Sequence, residues 1–160
     1  MLAVYAVGGV GEAYVPGELA APDQLIDYTW GREHTVDDGR EGPLQHIDFT
    51  EPYDRDLRMA LIHVAGQAGI PIEPSAVYGV AQGPRLETAA EIRRMARDGC
   101  DVVGMTAMPE ASLAREMGIA YASICMVVNP AAGLGDLPIS LAMMRDILQQ
   151  FFKVTGFFTD

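Results

Sequence analysis

The sequence predicts an α/β fold, because short apolar runs that read as strands alternate along the chain with amphipathic segments that read as helices. Three polar segments sharpen that expectation. They are Gln82-Gly83-Pro84-Arg85-Leu86-Glu87-Thr88, then Gly104-Met105-Thr106-Ala107-Met108-Pro109-Glu110, then Val128-Asn129-Pro130-Ala131-Ala132-Gly133. Each comes directly after an apolar run. Ligands of α/β sheets collect at the carboxyl ends of strands, so the three segments are candidate walls of one pocket.

The elements follow in order. Leu2 to Val7 reads as a buried strand closed by the glycine turn Gly8-Gly9. Leu19 to Ala21 and Gln24 to Tyr28 read as short strands separated by Pro22, and Trp30 to Gln45 reads as an exposed loop. Asp54 to Gly69 is expected to be a helix with Leu57, Leu61, Val64, Ala65 and Ala68 on one face. Ser75 to Ala81 is the next strand. Thr88 and Glu91 have the spacing of a capping box, opening a helix that carries Ile92 and Met95 and stops at Gly99. Asp101 to Met105 reads as a strand, Pro109 to Met117 as a helix entered through its proline, and Ile119 to Val128 as a strand. Ser140 caps a last helix whose Leu141, Met144, Ile147, Leu148 and Phe151 share a face.

The chain has 160 residues, 49% of them hydrophobic and 21% charged, which suits one domain with a real core spanning 1–160. Eleven basic against 22 acidic residues give a net charge of −11, which excludes nucleic acid and anionic membrane surfaces as expected partners. No apolar run reaches the ~18 residues of a membrane span. The start lacks a basic n-region and flows into Gly8-Gly9, so no signal peptide is expected and the cytoplasm follows. Cys100 and Cys125 lack metal-type spacing, and Cys125 sits in an apolar run as a buried, reduced thiol. His34 and His63 have no acid or Cys at ligand spacing, so no metal is expected.

The chemistry concentrates in a few side chains. Glu87 offers a carboxylate acceptor and Asn129 an amide donor to one ligand, if the fold brings the two together. Ser-His-Asp and Cys-His arrangements are not evident.

Together with Ala6-Val7-Gly8-Gly9, the run Pro22-Asp23-Gln24-Leu25-Ile26-Asp27-Tyr28-Thr29, and His46-Ile47-Asp48-Phe49 leading to Pro52-Tyr53, these segments resemble the purine nucleoside phosphorylase superfamily in its methylthioadenosine/methylthioinosine phosphorylase branch. The similarity runs over nearly the whole chain in the family's order. It implies a three-layer α/β/α fold with a mixed central sheet. It also implies an N-terminally truncated chain, since family members begin with a further third that holds a Gly-rich phosphate loop and an Arg-His clamp.

The resemblance implies phosphorolysis of S-methyl-5'-thioinosine to hypoxanthine and 5-methylthioribose-1-phosphate. Phosphate is then a co-substrate and no cofactor is needed. Asn129 would stabilise charge arriving on the purine, Glu87 would hold N1–H, and Leu86, Pro130 and Ala131 would complete the base pocket. Met105 would lie along the ribose and Thr106 would donate to phosphate. Ala6, Val7 and Gly8 would bring backbone N–H groups to base and phosphate. Leu141 and Met144 match the family's apolar 5' positions. His46 matches a histidine that relatives insert into a neighbouring subunit's pocket, which implies a homo-oligomer, typically a trimer. Methylthioadenosine phosphorylase, a general 6-oxopurine nucleoside phosphorylase, and a non-catalytic purine-binding or oligomerising subunit stay open as alternatives.

Overall fold

The computed structural model describes residues 1–40, 46–135, 139–140, 142, 144–146 and 149. In chain order the elements are β1 (Leu2–Gly9), β2 (Leu19–Ala20), β3 (Gln24–Asp27), α1 (Arg55–Gln67), β4 (Val77–Val80), α2 (Ala89–Asp98), β5 (Val102–Gly104), α3 (Ala107–Glu116) and β6 (Ala122–Pro130). The strands form one mixed six-stranded sheet in the order β2-β6-β1-β5-β4-β3.

Alternation along the strands builds a core on each face. Tyr78 and Val80 of β4, Val102 of β5, and Cys125 and Val127 of β6 join Tyr5 and Val7 in one cluster. It is closed by Ala107, Met108, Ala111 and Ala114 of α3. On the other face Val103 packs with Ala81, Cys100, and the Ile92 and Met95 of α2. Met126 and Val128 pack with Leu19 and Met144. Helices therefore cover both faces, giving the expected three layers.

α2 shows why the sequence folds as it does. The Thr88 side chain accepts from the Glu91 N–H while the Glu91 carboxylate accepts from the Thr88 N–H, so two otherwise orphaned donors are satisfied reciprocally. Gly99 ends the helix at φ 94°, a left-handed conformation that glycine adopts without steric cost. α1 starts at Asp54, whose side chain accepts from the Leu57 N–H at 2.8 Å. Its inward stripe is rotated from the expected one: Leu57, Arg58, Leu61, Ile62 and Ala65 are half-buried, whereas Val64 is 60% exposed and Ala68 is exposed. At 100° per residue, Val64 falls at the rim of the half-buried arc, away from Ile62, and Ala68 is the C-cap that follows the last helical residue.

α3 spans Ala107–Glu116 with a non-helical Met108 (φ −115°, ψ 136°), so regular helix starts at Pro109 as its sequence indicates. Of the last expected helix, Met144 is half-buried and its N–H donates to the Ser140 carbonyl at 3.2 Å. Leu141, Ile147, Leu148 and Phe151 lie outside the described residues.

The sheet's direction reverses at its centre. β1 runs parallel to β6 along its whole length but antiparallel to β5, and it meets β5 only at Gly8↔Val103 and Gly9↔Val102. Among the described residues, no strand pairs with that side of β1 over residues 2–7. Before Gly8 on β1, and after Val103 on β5, the two strands part and leave a crevice in the sheet.

Candidate active site

The crevice is the candidate site. A cavity of about 340 Å³ lies between β1 and β5, within the usual ~300–1,000 Å³ of small-molecule pockets. One lip is β1, with Ala6, Val7 and Gly8; the other is the end of β5, with Val103, Gly104, Met105 and Thr106. Leu86 and Glu87 from the β4–α2 loop, Asn129 and Ala131 from β6, and Ile139 and Met144 from the C-terminal segment close it. Ten residues singled out from sequence thus face one space.

Asn129 arrives there through a bulge. The β1/β6 register runs Val7↔Val127 and then Gly8↔Asn129, so Val128 is an extra residue. Bulges re-phase a strand, and this one sets Asn129 beside Gly8 instead of one place beyond it. Asn129 is 4% exposed, and its Nδ2 donates one hydrogen bond to the Pro130 carbonyl at 2.7 Å. An amide nitrogen has two donors, so a second remains for a ligand.

Glu87 is half-buried on the opposite wall. Its carboxyl pKa is raised above the ordinary value, first by burial and also by Glu91, against lowering by a backbone hydrogen bond and by Arg85. Thr106 sits ahead of α3, yet its side chain makes no capping bond to the helix. Instead its hydroxyl lies 3.2 Å from the Tyr78 hydroxyl. Burial is the main cause that lifts the Tyr78 phenol to about 12, and hydrogen bonds from Thr106 and Ala107 counter part of that rise. Gly104 makes the contact feasible, since a Cβ there would stand 2.2 Å from the Tyr78 hydroxyl oxygen.

The remaining expected residues are placed less directly. Pro130 lines a smaller adjoining cavity of about 260 Å³ that shares Leu86, Glu87, Ala131 and Ile139 with the first. His46 is exposed and is not part of this chain's own cavity wall. Leu141 lies outside the described residues. Leu86 is 44% exposed, so it caps the pocket mouth as an apolar lid edge.

Sequence reasoning passed over four contributors. Tyr5 lines the cavity, and its hydroxyl bonds to both the Glu110 carboxylate and the Tyr121 hydroxyl. Burial, then those bonds, push the Tyr5 phenol far upward, so it stays a neutral donor. Tyr78 falls within the expected strand Ser75 to Ala81 without standing out, Ile139 lies outside every expected element, and Arg32 falls in the loop read as exposed although it is half-buried. No local signal separates Arg32 from Arg40, the other arginine of the same loop.

A larger cavity of about 510 Å³ opens on the far side of Glu87, lined by Tyr28, Thr29, Trp30, Gln82, Arg85 and Arg94 among others. Its cations are already engaged. Arg85 grips Glu91 with both terminal nitrogens, and Arg94 pairs with Asp98 and covers the Tyr28 ring at 5.3 Å. It also lacks Asn129, Met105 and Thr106, so the crevice is the better site despite its smaller volume. Among the described residues no group of three His, Cys, Asp or Glu could hold a metal ion, and no helix is long and apolar enough to cross a membrane.

Comparison with known proteins shows the family. Residues 1–154 match the family model described as "Phosphorylase superfamily". The chain is 52% identical over 136 residues to a probable S-methyl-5'-thioinosine phosphorylase of Xanthomonas campestris pv. campestris, covering 85% of this chain and 54% of that protein. It is 42% identical over 155 residues to a 6-oxopurine nucleoside phosphorylase of Pyrococcus furiosus, covering 94% of this chain and 58% of that one. Methylthioadenosine phosphorylase from Schistosoma mansoni, solved with adenine, superposes with a TM-score of 0.89 at 28% identity, over 96% of this chain and 60% of that one. The chain therefore spans little more than half the length of such relatives.

Proposed function

The chain belongs to the phosphorylase superfamily, and from that premise we propose that it is a purine nucleoside phosphorylase acting on S-methyl-5'-thioinosine. The observation that carries the reading is the convergence of Glu87, Asn129, Met105 and Thr106 on one crevice. In the proposed reaction a phosphate oxygen attacks C1' of the sugar and the C1'–N9 bond breaks. Its electron pair goes to the purine, and hypoxanthine leaves with 5-methylthioribose-1-phosphate as the second product. Phosphate is a co-substrate, and no cofactor is required.

Each role follows from a placement. The Asn129 amide has one donor left, buried and fixed by the Pro130 carbonyl, to meet N7 or O6 as negative charge develops. Glu87, as carboxylate, accepts from N1–H. Its pKa is raised first by burial, and a purine N1–H would add a donor that favours the ionised form. The Met105 side chain lies along the sugar, and Thr106, held by Tyr78, donates to phosphate. The side of β1 left without a strand partner among the described residues at Ala6 and Val7, with Gly8 next to it, offers backbone groups to the ligand. Pro130 and Ala131 shape the far side of the base, with Leu86 as an apolar edge.

Substrate branch rests on two contrasts. An amide at position 129, with Ala131 nearby, suits a 6-oxopurine, whereas a 6-amino group calls for acceptors. Ile139 and Met144 make an apolar end that suits a methylthio group better than a 5'-hydroxyl. Leu141 would extend that end. A general 6-oxopurine nucleoside phosphorylase is the second reading, favoured by the 42% identity to the protein from Pyrococcus furiosus.

In the same proposal the protein is a single domain that works in the cytoplasm in purine and methylthio salvage. It acts as a homotrimer in which the exposed His46 reaches the pocket of a neighbouring copy. The test is phosphate-dependent base release, with methylthioinosine, methylthioadenosine and inosine offered side by side. Preference for methylthioinosine supports the reading. Equal use of inosine favours the second reading, and adenine release overturns the base assignment.

A further inference from the structure

We propose that Arg32 is a positioning residue of the purine site, a brace that sets the distance between the base-binding loop and the sugar- and phosphate-binding loop. The idea rests on the functional reading above for what those loops bind, but its geometry is independent of it.

The segment leading to Arg32 runs along the end of β4. The Tyr28 N–H donates to the Val80 carbonyl at 3.0 Å, and the Trp30 N–H donates to Gln82 Oε1 at 3.0 Å. That path delivers the guanidinium to the place where β4 and β5 end side by side. One terminal nitrogen donates to the Ala81 carbonyl at 3.3 Å and the Gln82 carbonyl at 2.8 Å. The other donates to the Met105 carbonyl at 2.9 Å and to the Met108 carbonyl. Two nitrogens thus meet two separate loops.

This accounts for all four terminal N–H donors of the group. The acceptors are carbonyls at strand ends, where ladder partners run out and a buried C=O would otherwise lie unpaired. Gln82 opens the loop that presents Leu86 and Glu87, while Met105 and Met108 flank Thr106. The planar fork fixes the spacing of its four acceptors in a way that an ammonium, a point donor with three protons, cannot. Among the described residues the ion pairs do not include Arg32, so carbonyl dipoles and not a carboxylate hold it. Arg32 itself does not line the cavity and reaches it only through the backbone of Met105, which makes it a positioning and not a catalytic group.

The test compares the wild-type chain with Arg32→Met and Arg32→Lys. Hypoxanthine affinity is measured by calorimetry, and amide hydrogen exchange is mapped by mass spectrometry. Arg32→Met should keep a cooperative melt but bind hypoxanthine at least tenfold more weakly, with faster exchange in residues 82–88 and 105–109 together and β6 unchanged. Arg32→Lys should recover part of the affinity. Guanidinium at about 10 mM, far below denaturing levels, should restore several-fold affinity to Arg32→Met where the same concentration of sodium chloride does not.

Wild-type affinity in Arg32→Met, or a loss that guanidinium fails to restore, would overturn the brace. Should Arg32→Met fail to fold, Arg32→Lys decides: a drop of threefold or more supports the brace, and unchanged affinity overturns it. A wild-type chain that binds no hypoxanthine overturns the functional reading instead, and the exchange map still decides whether Arg32 ties the two loops.

Discussion

Replacing Asn129 with Asp exchanges one atom and inverts the chemistry of the site. In the native chain Nδ2 of this 4%-exposed residue donates to the Pro130 carbonyl at 2.7 Å. An ionised carboxylate there would set two acceptors against each other in a buried place. The lost bond and unmatched acceptor should cost on the order of 1–3 kcal/mol of folding stability. The same change removes the donor aimed at N7 or O6. A hydrogen bond to a group that gains charge is worth about 1.5–3 kcal/mol, so kcat/KM for a 6-oxopurine nucleoside should fall roughly 10- to 150-fold. A 6-amino substrate should lose less, because its exocyclic amine can donate to the new carboxylate. Urea unfolding gives the first quantity, and paired kinetics with methylthioinosine and methylthioadenosine give the second. An unchanged ratio between the two nucleosides would refute the placement of Asn129 on the base, whatever the stability change.

Three further changes separate roles within the crevice. Glu87 has a raised folded pKa, so the native state holds its proton more tightly and stability falls as pH rises through that pKa. Glu87→Gln should therefore leave stability near neutral pH equal or slightly higher, while hypoxanthine binding weakens roughly tenfold and loses its decline at acid pH; a variant that unfolds more easily at neutral pH contradicts the linkage. Thr106→Ala should raise the Michaelis constant for phosphate about fivefold, the worth of one ~1 kcal/mol bond, and that for nucleoside much less. It should also lower the melting point, since the buried Tyr78 hydroxyl loses its 3.2 Å partner. Equal effects on both substrates argue against a phosphate role. Thr88→Ala breaks the capping box and should cost about 1 kcal/mol in urea unfolding. The Glu91 carboxyl is held at about 2 mainly by Arg85, so that part of the stability persists above the ordinary carboxylate range and disappears only as pH falls towards 2.

Local chemistry was readable in the chain because it is written in adjacent residues. Thr88 and Glu91 announced the start of α2, Gly99 its end, and the apolar run around Cys125 a strand. Glu87, Met105, Thr106 and Asn129 stood out because each is a polar or soft residue directly after an apolar run. What stayed hidden depends on pairing between distant segments. The antiparallel meeting of β1 and β5 at Gly8 and Val103 creates the crevice, and pairing direction has no local signature. The bulge at Val128 is visible only as a mismatch with β1. Arg32 looked like one more charge in an exposed loop, since its four acceptors come from residues 49 to 76 positions away. Val64 and Ala68 show the converse error. Their helical phase suggests a core face, yet Val64 lies at the rim of the arc that leans on β6, and Ala68 comes after the last helical residue.

The most direct test of the central claim is to titrate hypoxanthine and adenine separately into the purified chain and compare affinities for the wild type and Glu87→Gln. A crevice walled by Glu87 and Asn129 predicts that hypoxanthine binds at least tenfold more tightly than adenine, and that Glu87→Gln narrows the difference. Equal affinity for the two bases, or tighter binding of adenine, would contradict the assignment of this site to 6-oxopurines.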